Sequence, residues 1–370
     1  MTGICNFVAS RLRIARRRRG YTKIRLAGLC EVDSGTLSRW EGERTVPDEK
    51  AVARLSDVLG FPPGYFYRED PPEVDSGRPS FRALTSMTAP VRNRALGAAS
   101  LAVELEKELS LQFRLPEVDV PDLSHLDPEG AAEALREAWG LGVRPIKNLV
   151  HLVEKHGIRV FSVEEEATSL HAFCIWEEDL PFVFLARSKT VERSRFNCAH
   201  ELGHLVLHRD QESTGPEAEK EANQFASAFL MPSESVKAVC GSGMTFANIV
   251  SQKKRWGVAA AALAYRLHSP ALGLLSDWQY KRIAMELSRR GRRTEPDPIE
   301  GEELSFILQA VFRALSEKGV SLAKISRDLC LPERDLSELT FGLGLSLVGV
   351  SGEEQPRSSR QSSPVLRVIK

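Results

Sequence analysis

Two histidines and a glutamate stand in the order His-Glu-Leu-Gly-His at residues 200–204, inside a run with helical character. Residues four apart project from one face of a helix, so the imidazoles of His200 and His204 can reach a single cation. Glu201 lies about 100° around the helix from His200, where its carboxylate can accept a proton from a metal-bound water without binding the metal. The spacing therefore predicts a Zn²⁺ site that activates water for hydrolysis of a peptide bond, with Glu201 as the catalytic base.

The segment around this motif is apolar, which bears on whether the two histidines are incidental. Leu202 and the Leu-Val-Leu run at 205–207 would bury the helix, and buried imidazoles need polar partners. A surface helix with chance histidines is therefore the weaker interpretation. His208 repeats the four-residue spacing, but a third metzincin histidine would be six residues after His204, so we expect His208 to pack beside the site without binding metal.

A third ligand is expected on the next helix, because catalytic zinc usually has three protein ligands and one open position. Apolar residues recur there at helical spacing between Ala222 and Leu230. Glu219 falls inside this stripe, and a carboxylate that points into a core needs a cation, so Glu219 is the predicted ligand. Glu221 lies beyond the edge of the stripe and is the alternative, while Glu217 is predicted to be a solvated charge.

Three short runs rich in β-branched and aromatic residues precede the metal motif, at 158–163, 170–176 and 181–187. Helical patterns flank them, at 130–155 and from Val191 to Glu286, so this part of the chain is predicted to be an α+β domain. The third run, PFVFLAR, is a candidate for the sheet edge on which an extended peptide substrate adds as a further strand. The alternative is a core strand with a purely structural role.

The N-terminal end is basic although the whole chain has no formal net charge. The 50 Lys and Arg residues balance 50 Asp and Glu residues, yet eight basic residues and no acidic one precede Glu31. This local excess indicates a module that meets an anion. Residues 8–66 have the pattern of four or five short helices, and an alternative role for them is protein interaction through a solvated basic face. Their predicted core consists of Leu26, Leu29, Leu37, Leu55 and Leu59.

The third of these helices has the position of a recognition helix, which would enter the major groove of double-stranded DNA. Thr22 is expected to cap the second helix, and Asp33 or Ser34 to cap the third. Arg39 is the favoured reader of guanine or phosphate, and Arg16 to Arg19 are expected to attract the DNA backbone without specificity. The predicted DNA-binding residues are Lys23, Ser34, Thr36, Ser38 and Arg39.

Three blocks in the second half of the chain resemble the ImmA/IrrE family of metallopeptidases. They are HELGHLVLH, then EKEANQFASAFLMP, then WGV…ALAYRL…LGLLSDWQY, and the resemblance covers about residues 130–290. It implies a zincin-like α+β fold with His200 and His204 as zinc ligands, Glu201 as the base and Glu219 as the third ligand. It also implies a regulatory target, because relatives cut or inactivate transcriptional repressors.

Residues 11–66 resemble the XRE (Cro/C1-type) helix-turn-helix family, whose Glu-x-Gly turn is matched by EGER at 41–44 and the following Pro47. Lys23 departs from the pattern, because the family often has Gln at the start of the second helix. Lys23 is a point charge that could contact a phosphate instead.

We therefore predict a multidomain protein: an all-α helix-turn-helix domain, a zincin-like α+β metallopeptidase domain and a small C-terminal helical region. The expected boundaries are 8–67 for DNA binding, 68–129 for a linker and helical connector, 130–288 for the peptidase, 302–345 for the helical region and 351–370 for a disordered tail. The balanced charges of the helical region favour dimerisation or docking over a second DNA reader.

From the composition we expect a cytoplasmic protein that does not contact a membrane. No apolar run approaches the roughly 20 residues that a spanning helix needs, and no signal peptide is recognisable. The six cysteines are scattered and are expected to be reduced thiols.

Together the patterns predict a transcriptional regulator that binds operator DNA and carries a zinc-dependent peptidase. Its substrate would be a partner regulatory protein, such as a repressor or antitoxin, or the protein itself. The first alternative is a transcription factor whose peptidase-like domain senses a ligand or metal without turnover. The second is a stand-alone protease whose basic module docks protein, which predicts no salt-dependent DNA binding.

Overall fold

The computed structural model describes residues 6–71, 74, 88–163, 171–187, 190–209, 215–289, 294–343 and 367–368. The helices are α1 (Ala9–Arg18), α2 (Lys23–Leu29), α3 (Ser34–Glu41), α4 (Glu49–Leu59), α5 (Ala89–Ser110), α6 (Pro128–Ala138), α7 (Leu149–Lys155), α8 (Val191–Leu207), α9 (Pro216–Leu230), α10 (Ser233–Lys237), α11 (Phe246–Gln252), α12 (Ala260–His268), α13 (Asp277–Arg289), α14 (Phe306–Glu317), α15 (Leu322–Leu329) and α16 (Glu333–Leu339). The strands are β1 (Phe113–Arg114), β2 (Arg159–Val163), β3 (Ala172–Glu177), β4 (Leu180–Ala186) and β5 (Arg367–Val368). Short 3-10 helices span Pro63–Tyr67 and Lys253–Arg255.

The chain forms two compact units, each assembled from separated segments. The first unit comprises residues 1–116, 161–170 and 305–370, and the second comprises 117–160 and 171–304. The first is therefore the helix-turn-helix region together with α5 and the C-terminal helices. The domain boundaries expected from the sequence remain predictions, because this division into units does not test them.

In the first unit, α1 to α4 form the small N-terminal core, and side chains close the helix ends as the sequence suggested. The Thr22 hydroxyl accepts from the backbone N–H of Arg25, and Asp33 caps α3 by accepting from the N–H of Thr36. Four of the five predicted core leucines are fully buried. The prediction for Leu29 is wrong: its side chain is 46% exposed at the end of α2, and the adjacent Cys30 is buried instead.

The long helix α5 packs closely on α1 at a glycine. A methyl group added at Gly97 would overlap the backbone N and Cα of Arg18, so the absent side chain sets the distance between the two helices. The contact is reinforced by a buried ion pair, in which Arg11 Nη2 lies 2.9 Å from Glu104 Oε1. The helix-turn-helix region thus shares its core with α5.

The C-terminal helices pack in the same unit through α16. Asp335 is buried and accepts hydrogen bonds from Arg18 Nε at 2.6 Å and from Arg19 Nη1 and Nη2 at 2.8 and 2.7 Å. Glu338 adds a second ion pair to Arg18. Two adjacent arginines at the end of α1 are therefore tied to one helix that is more than 300 residues away in sequence.

The strand order of the three-stranded sheet is β2-β4-β3. β3 and β4 belong to the second unit, and the division between the units falls within β2. β3 and β4 are antiparallel, with Cys174 opposite Val183 and Trp176 opposite Pro181. The two longest helices of this unit, α8 and α9, pack against each other, and α8 also contacts both of these strands. At the start of α8, the fully buried Lys253 ammonium lies 2.7 Å from the fully buried Glu192, which anchors the helix.

The observed elements confirm the predicted fold class: a helical N-terminal region, an α+β part with a small sheet, and a helical C-terminal region. Residues 72–73 and 75–87 of the predicted linker and connector at 68–129, and most of the predicted tail at 351–370, lie outside the described residues. Within the tail, β5 pairs antiparallel with β1. Among the helices that the structure describes, none combines the length and the apolarity needed to cross a membrane.

Candidate metal centre and nucleic-acid interface

The close packing of α8 on α9 brings the metal-binding motif and the predicted third ligand together. Thr190 caps α8 by accepting from the N–H of Arg193. Gly203, inside the motif, faces α9 so closely that an added Cβ would lie 3.0 Å from Phe225 and 3.3 Å from Ala222. The small residue in the motif therefore permits the helix approach that carries Glu219 to the histidines.

Three donor side chains converge at this helix pair. Nε2 of His200 and Nε2 of His204 lie 3.1 Å apart, and the Glu219 carboxylate lies 3.3 Å from the first and 3.5 Å from the second. The ligand atoms of all three residues fall within 4.8 Å of one another. Two imidazoles and a carboxylate are the donor set of a hydrolytic zinc centre, so these residues fit a metal ion of that kind.

Glu219 approaches the histidines from the rim of the site and not from the core. Its side chain is 51% exposed, whereas the apolar stripe of α9 is buried, so the expectation of a core-facing carboxylate is wrong. Hydrogen bonds from His200 and His204 outweigh its partial burial and lower the pKa of its carboxyl. Burial lowers the pKa of His200. The hydrogen bond to Glu219 and the charge of Glu201 raise this pKa by more than burial lowers it, so the net shift is upward.

Both histidines also have partners on the side away from Glu219. Nδ1 of His200 lies 3.1 Å from Oδ1 of Asn223, whose amide donates to the backbone oxygen of Glu219 at 2.7 Å. Nδ1 of His204 lies 3.0 Å from Nδ1 of His208, and Nε2 of His208 lies 2.9 Å from the Glu221 carboxylate. Such outer contacts fix the ring orientation of metal-binding histidines.

No role was predicted for Asn223, and Glu221 was predicted only as the alternative ligand. One signal was available for Asn223, because it is four residues after Glu219 and therefore on the same face of α9. Glu221 instead contacts His208, which is the packed residue expected from its spacing. Glu217 is exposed and pairs with Lys220 at 3.0 Å, as a solvated charge would.

Glu201 is buried beside the histidines and close to β3. Burial, and then the charge and hydrogen bond of Glu201, raise the pKa of the Cys174 thiol on β3 well above its ordinary value.

The interpretation of PFVFLAR as a sheet edge is wrong, because this run forms β4, the central strand. Among the described strands, β3 ends the sheet on the side of Glu201.

In the nucleic-acid region, α3 presents its first turns to solvent. Ser34 and Ser38 are exposed and Thr36 is partly exposed, while Leu37 and Trp40 hold the other face in the core. Arg39 is half-exposed, and its Nη2 donates to Thr36 Oγ1 at 2.6 Å. The arrangement leaves a short polar surface that ends in one guanidinium group.

The basic cluster of α1 is engaged within the protein, so the expectation that Arg16 to Arg19 attract DNA is wrong for most of it. Arg16 is buried in a two-point ion pair with Glu41, with Nη2 and Oε2 3.0 Å apart. Arg18 and Arg19 bind Asp335 as described. Lys23 also contacts Glu41, at 3.4 Å, but remains half-exposed and can still reach a phosphate.

Comparison with known families finds a match in each of these two regions of the chain. Residues 8–64 match a helix-turn-helix domain, and residues 153–268 match the IrrE N-terminal-like domain, a peptidase family. A search of curated proteins finds no match. Both resemblances drawn from the sequence motifs are thereby confirmed. The chain thus combines a region that matches a helix-turn-helix domain with a region that matches the IrrE N-terminal-like domain.

Proposed function

We propose that the protein is a transcriptional regulator that binds operator DNA and hydrolyses a peptide bond in a partner regulatory protein, a repressor or an antitoxin. Its cofactor would be Zn²⁺. The observation that carries the proposal is the convergence of His200, His204 and Glu219 within 4.8 Å, next to the buried Glu201. Because operator DNA lies in the cytoplasm, the protein would work there.

Within this centre the two imidazoles and the Glu219 carboxylate would hold the metal, and Asn223 and His208 orient the imidazoles. Bound zinc would activate a water and polarise the scissile carbonyl. Glu201 takes the proton from the attacking water and delivers it to the leaving amine, which is the task of a general acid–base group. Its position one residue after the first ligand keeps it close to the metal without sharing in ligation.

The geometry favours a substrate that binds as an extended strand. β3 pairs with β4 on one side, and no described strand lies on its other side. Cys174 on β3 contacts Glu201, so a peptide that adds to this edge would pass the catalytic base. Main-chain hydrogen bonds along β3 would hold the substrate, and the scissile carbonyl would face the histidines.

DNA binding is assigned to α3 with Lys23. Ser34, Thr36 and Ser38 can contact base edges or phosphates through their hydroxyls, and Arg39 supplies the bidentate donor that reads guanine. Selection from a random duplex pool should enrich a defined sequence with the wild type and lose it with Arg39→Ala. The control Arg54→Ala removes another exposed arginine, on α4, and should enrich the same sequence.

The peptidase is tested by comparing new protein N-termini in the native host that carries either wild type or Glu201→Gln. We expect one or more termini that appear with the wild type and disappear with Glu201→Gln, although both proteins hold equal zinc. Glu217→Gln, at an exposed ion-paired position, should behave as the wild type.

Two results would contradict the proposal. Identical sets of termini for the wild type and Glu201→Gln would exclude Glu201 as the base of a peptidase. If, in addition, the operator affinity changes when zinc is added, the domain is a metal sensor without turnover.

A further inference from the structure

The first unit contains a cavity of about 700 Å³ that neither DNA reading by α3 nor the metal centre uses. Sites for small organic molecules typically measure about 300–1,000 Å³, so the space is large enough for a ligand of nucleotide size. Its wall is formed by the helix-turn-helix region, α5, and α16 with the preceding Pro332, and Val163 of β2 adds one more side chain. A molecule bound there would touch all three parts of this unit.

The polar part of the wall is dominated by positive charge. Five guanidinium groups line the cavity, whereas only Asp57 and Glu338 contribute carboxylates. The lining arginines are Arg18, Arg19, Arg25, Arg94 and Arg334. A concave protein surface of one dominant sign concentrates counter-ions, so an anion is favoured here.

Two of these arginines are held rigidly. The buried Asp335 accepts from both Arg18 and Arg19, and Arg19 also donates from Nε to the backbone oxygen of Leu59 at 2.6 Å. The guanidinium of Arg19 lies 4.8 Å from the centre of the Phe61 ring. Fixed cationic groups lose little entropy when a ligand binds, which favours a preformed site.

Arg25 differs from them because no carboxylate pairs with it in the part of the chain that the structure describes. Its guanidinium lies 4.9 Å from the centre of the Tyr21 ring, and both residues line the cavity. Stacking on an aromatic face occupies the plane of a guanidinium and leaves the N–H donors at its edge for an anion. Arg25 therefore has side-chain N–H donors that none of the described residues occupies.

Apolar side chains also line the cavity. A purely inorganic anion would leave this part of the wall without a contact, so it fits the cavity less well than an organic anion. The apolar residues come from α4, α5 and β2, and they are Val58, Leu59, Val91, Ala95, Ala98 and Val163. The ligand should therefore combine a multiply charged anionic group with a less polar body. Phosphate matches several guanidinium forks at once because it offers three oxygens, whereas a single carboxylate would leave most of them without an acceptor.

We propose that this cavity is a binding site for a small phosphate ester of nucleotide size, whose phosphate is held by Arg25 and Arg94 beside the fixed pair Arg18 and Arg19. The apolar residues of α4 and α5 hold the organic part. The site is independent of the metal centre, and its failure would leave the proposed peptidase untouched.

The test is calorimetric titration of the full-length protein, freed of metal with a chelator and dialysed, with AMP, inorganic pyrophosphate and adenosine as probes. AMP should bind once per chain and raise the melting temperature, pyrophosphate should compete with it, and adenosine should not bind. Arg25→Ala and Arg94→Ala should each weaken AMP binding about tenfold or more, since a hydrogen bond to a charged group contributes about 1.5–3 kcal/mol. Arg54→Ala, an exposed arginine outside the cavity, should bind AMP as the wild type does.

Three outcomes would overturn the proposal. The first is that neither AMP nor pyrophosphate binds at a ligand concentration of about 1 mM, which is a thousandfold above a dissociation constant of about 1 μM. The second is an equal loss in Arg54→Ala, which would indicate general attraction to a basic surface. The third is competition between AMP and duplex DNA together with a loss of DNA affinity in Arg25→Ala, which would assign these arginines to the DNA backbone.

Discussion

His208 joins the predicted zinc ligand His204 to a carboxylate: its Nδ1 lies 3.0 Å from Nδ1 of His204, and its Nε2 lies 2.9 Å from the Glu221 carboxylate. This contact orients the ring of His204 without adding a ligand. Outer contacts of this kind typically change metal affinity by about 10- to 100-fold when they are removed.

We therefore expect Glu221→Gln and His208→Ala to lower zinc affinity about tenfold or more while the protein still binds one zinc at saturation. Competition with a zinc chelator measures the change. Glu217→Gln is the matched control on the same helix, since Glu217 pairs with Lys220 at the surface. A stoichiometry below one in Glu221→Gln would make Glu221 a ligand instead.

Two glycines in helices of the first unit should respond in opposite ways to alanine. Gly97→Ala places a methyl group on the Arg18 backbone, and overpacking of this kind costs about 1–3 kcal/mol. Gly28→Ala meets nothing within 4 Å, so the better helix propensity of alanine should stabilise α2 by about 0.5–1 kcal/mol. Urea unfolding of the full-length variants gives both values. Equal effects would mean that α1 and α5 do not depend on the glycine contact.

The Arg16–Glu41 ion pair should be far more important for stability than an exposed pair in the same region. Arg16→Ala leaves a buried carboxylate that keeps a 3.4 Å contact to the half-exposed Lys23, and we expect a loss of about 3 kcal/mol in the free energy of unfolding. Arg54→Ala removes the exposed pair with Glu31 and should cost less than about 1 kcal/mol. Similar losses in the two variants would show that Glu41 is hydrated and not buried as described.

The contacts of Asp335 predict acid sensitivity of the first unit. Burial raises the pKa of this carboxyl, but Arg19 and Arg18 outweigh burial and hold it below its ordinary value. A carboxyl with a lowered pKa in the folded state stabilises the fold above its unfolded pKa of about 3.9, and this contribution is lost as the pH falls further.

Asp335→Asn should therefore be less stable than the wild type at pH 6, and the difference should shrink as the pH is lowered from 5 to 3. Thermal unfolding across this range, read by the same probe for both proteins, measures it. A difference that stays constant over the range would mean that Asp335 is not charged in the folded protein.

Local sequence patterns were sufficient to predict most elements of the fold. The caps at Thr22 and Asp33, the three strands and the helices around them follow from short-range chemistry that a single sequence displays. The order of the strands does not, because hydrophobic runs specify that a strand is buried but not which neighbours it has. For this reason the sequence left open whether PFVFLAR is an edge strand or a core strand, and in the structure it is the central strand.

The sequence also could not predict which residues pair when they are far apart along the chain. The arginines after position 15 look like a DNA-binding run, because their partners Glu41 and Asp335 are far away in sequence. In the site, helical periodicity singled out His200, His204 and Glu219, but it placed Glu219 in the core. The close approach at Gly203, which determines where α9 lies, is a three-dimensional property that the pattern does not contain.

The central claim is that His200, His204 and Glu219 hold one zinc ion. Elemental analysis of protein that was supplied with a small excess of zinc and then freed of unbound metal by desalting tests it directly. The wild type and Glu201→Gln should each contain about one zinc per chain, and His204→Ala and Glu219→Ala should contain almost none. Full zinc in Glu219→Ala, or none in the wild type after zinc is supplied, would contradict the account.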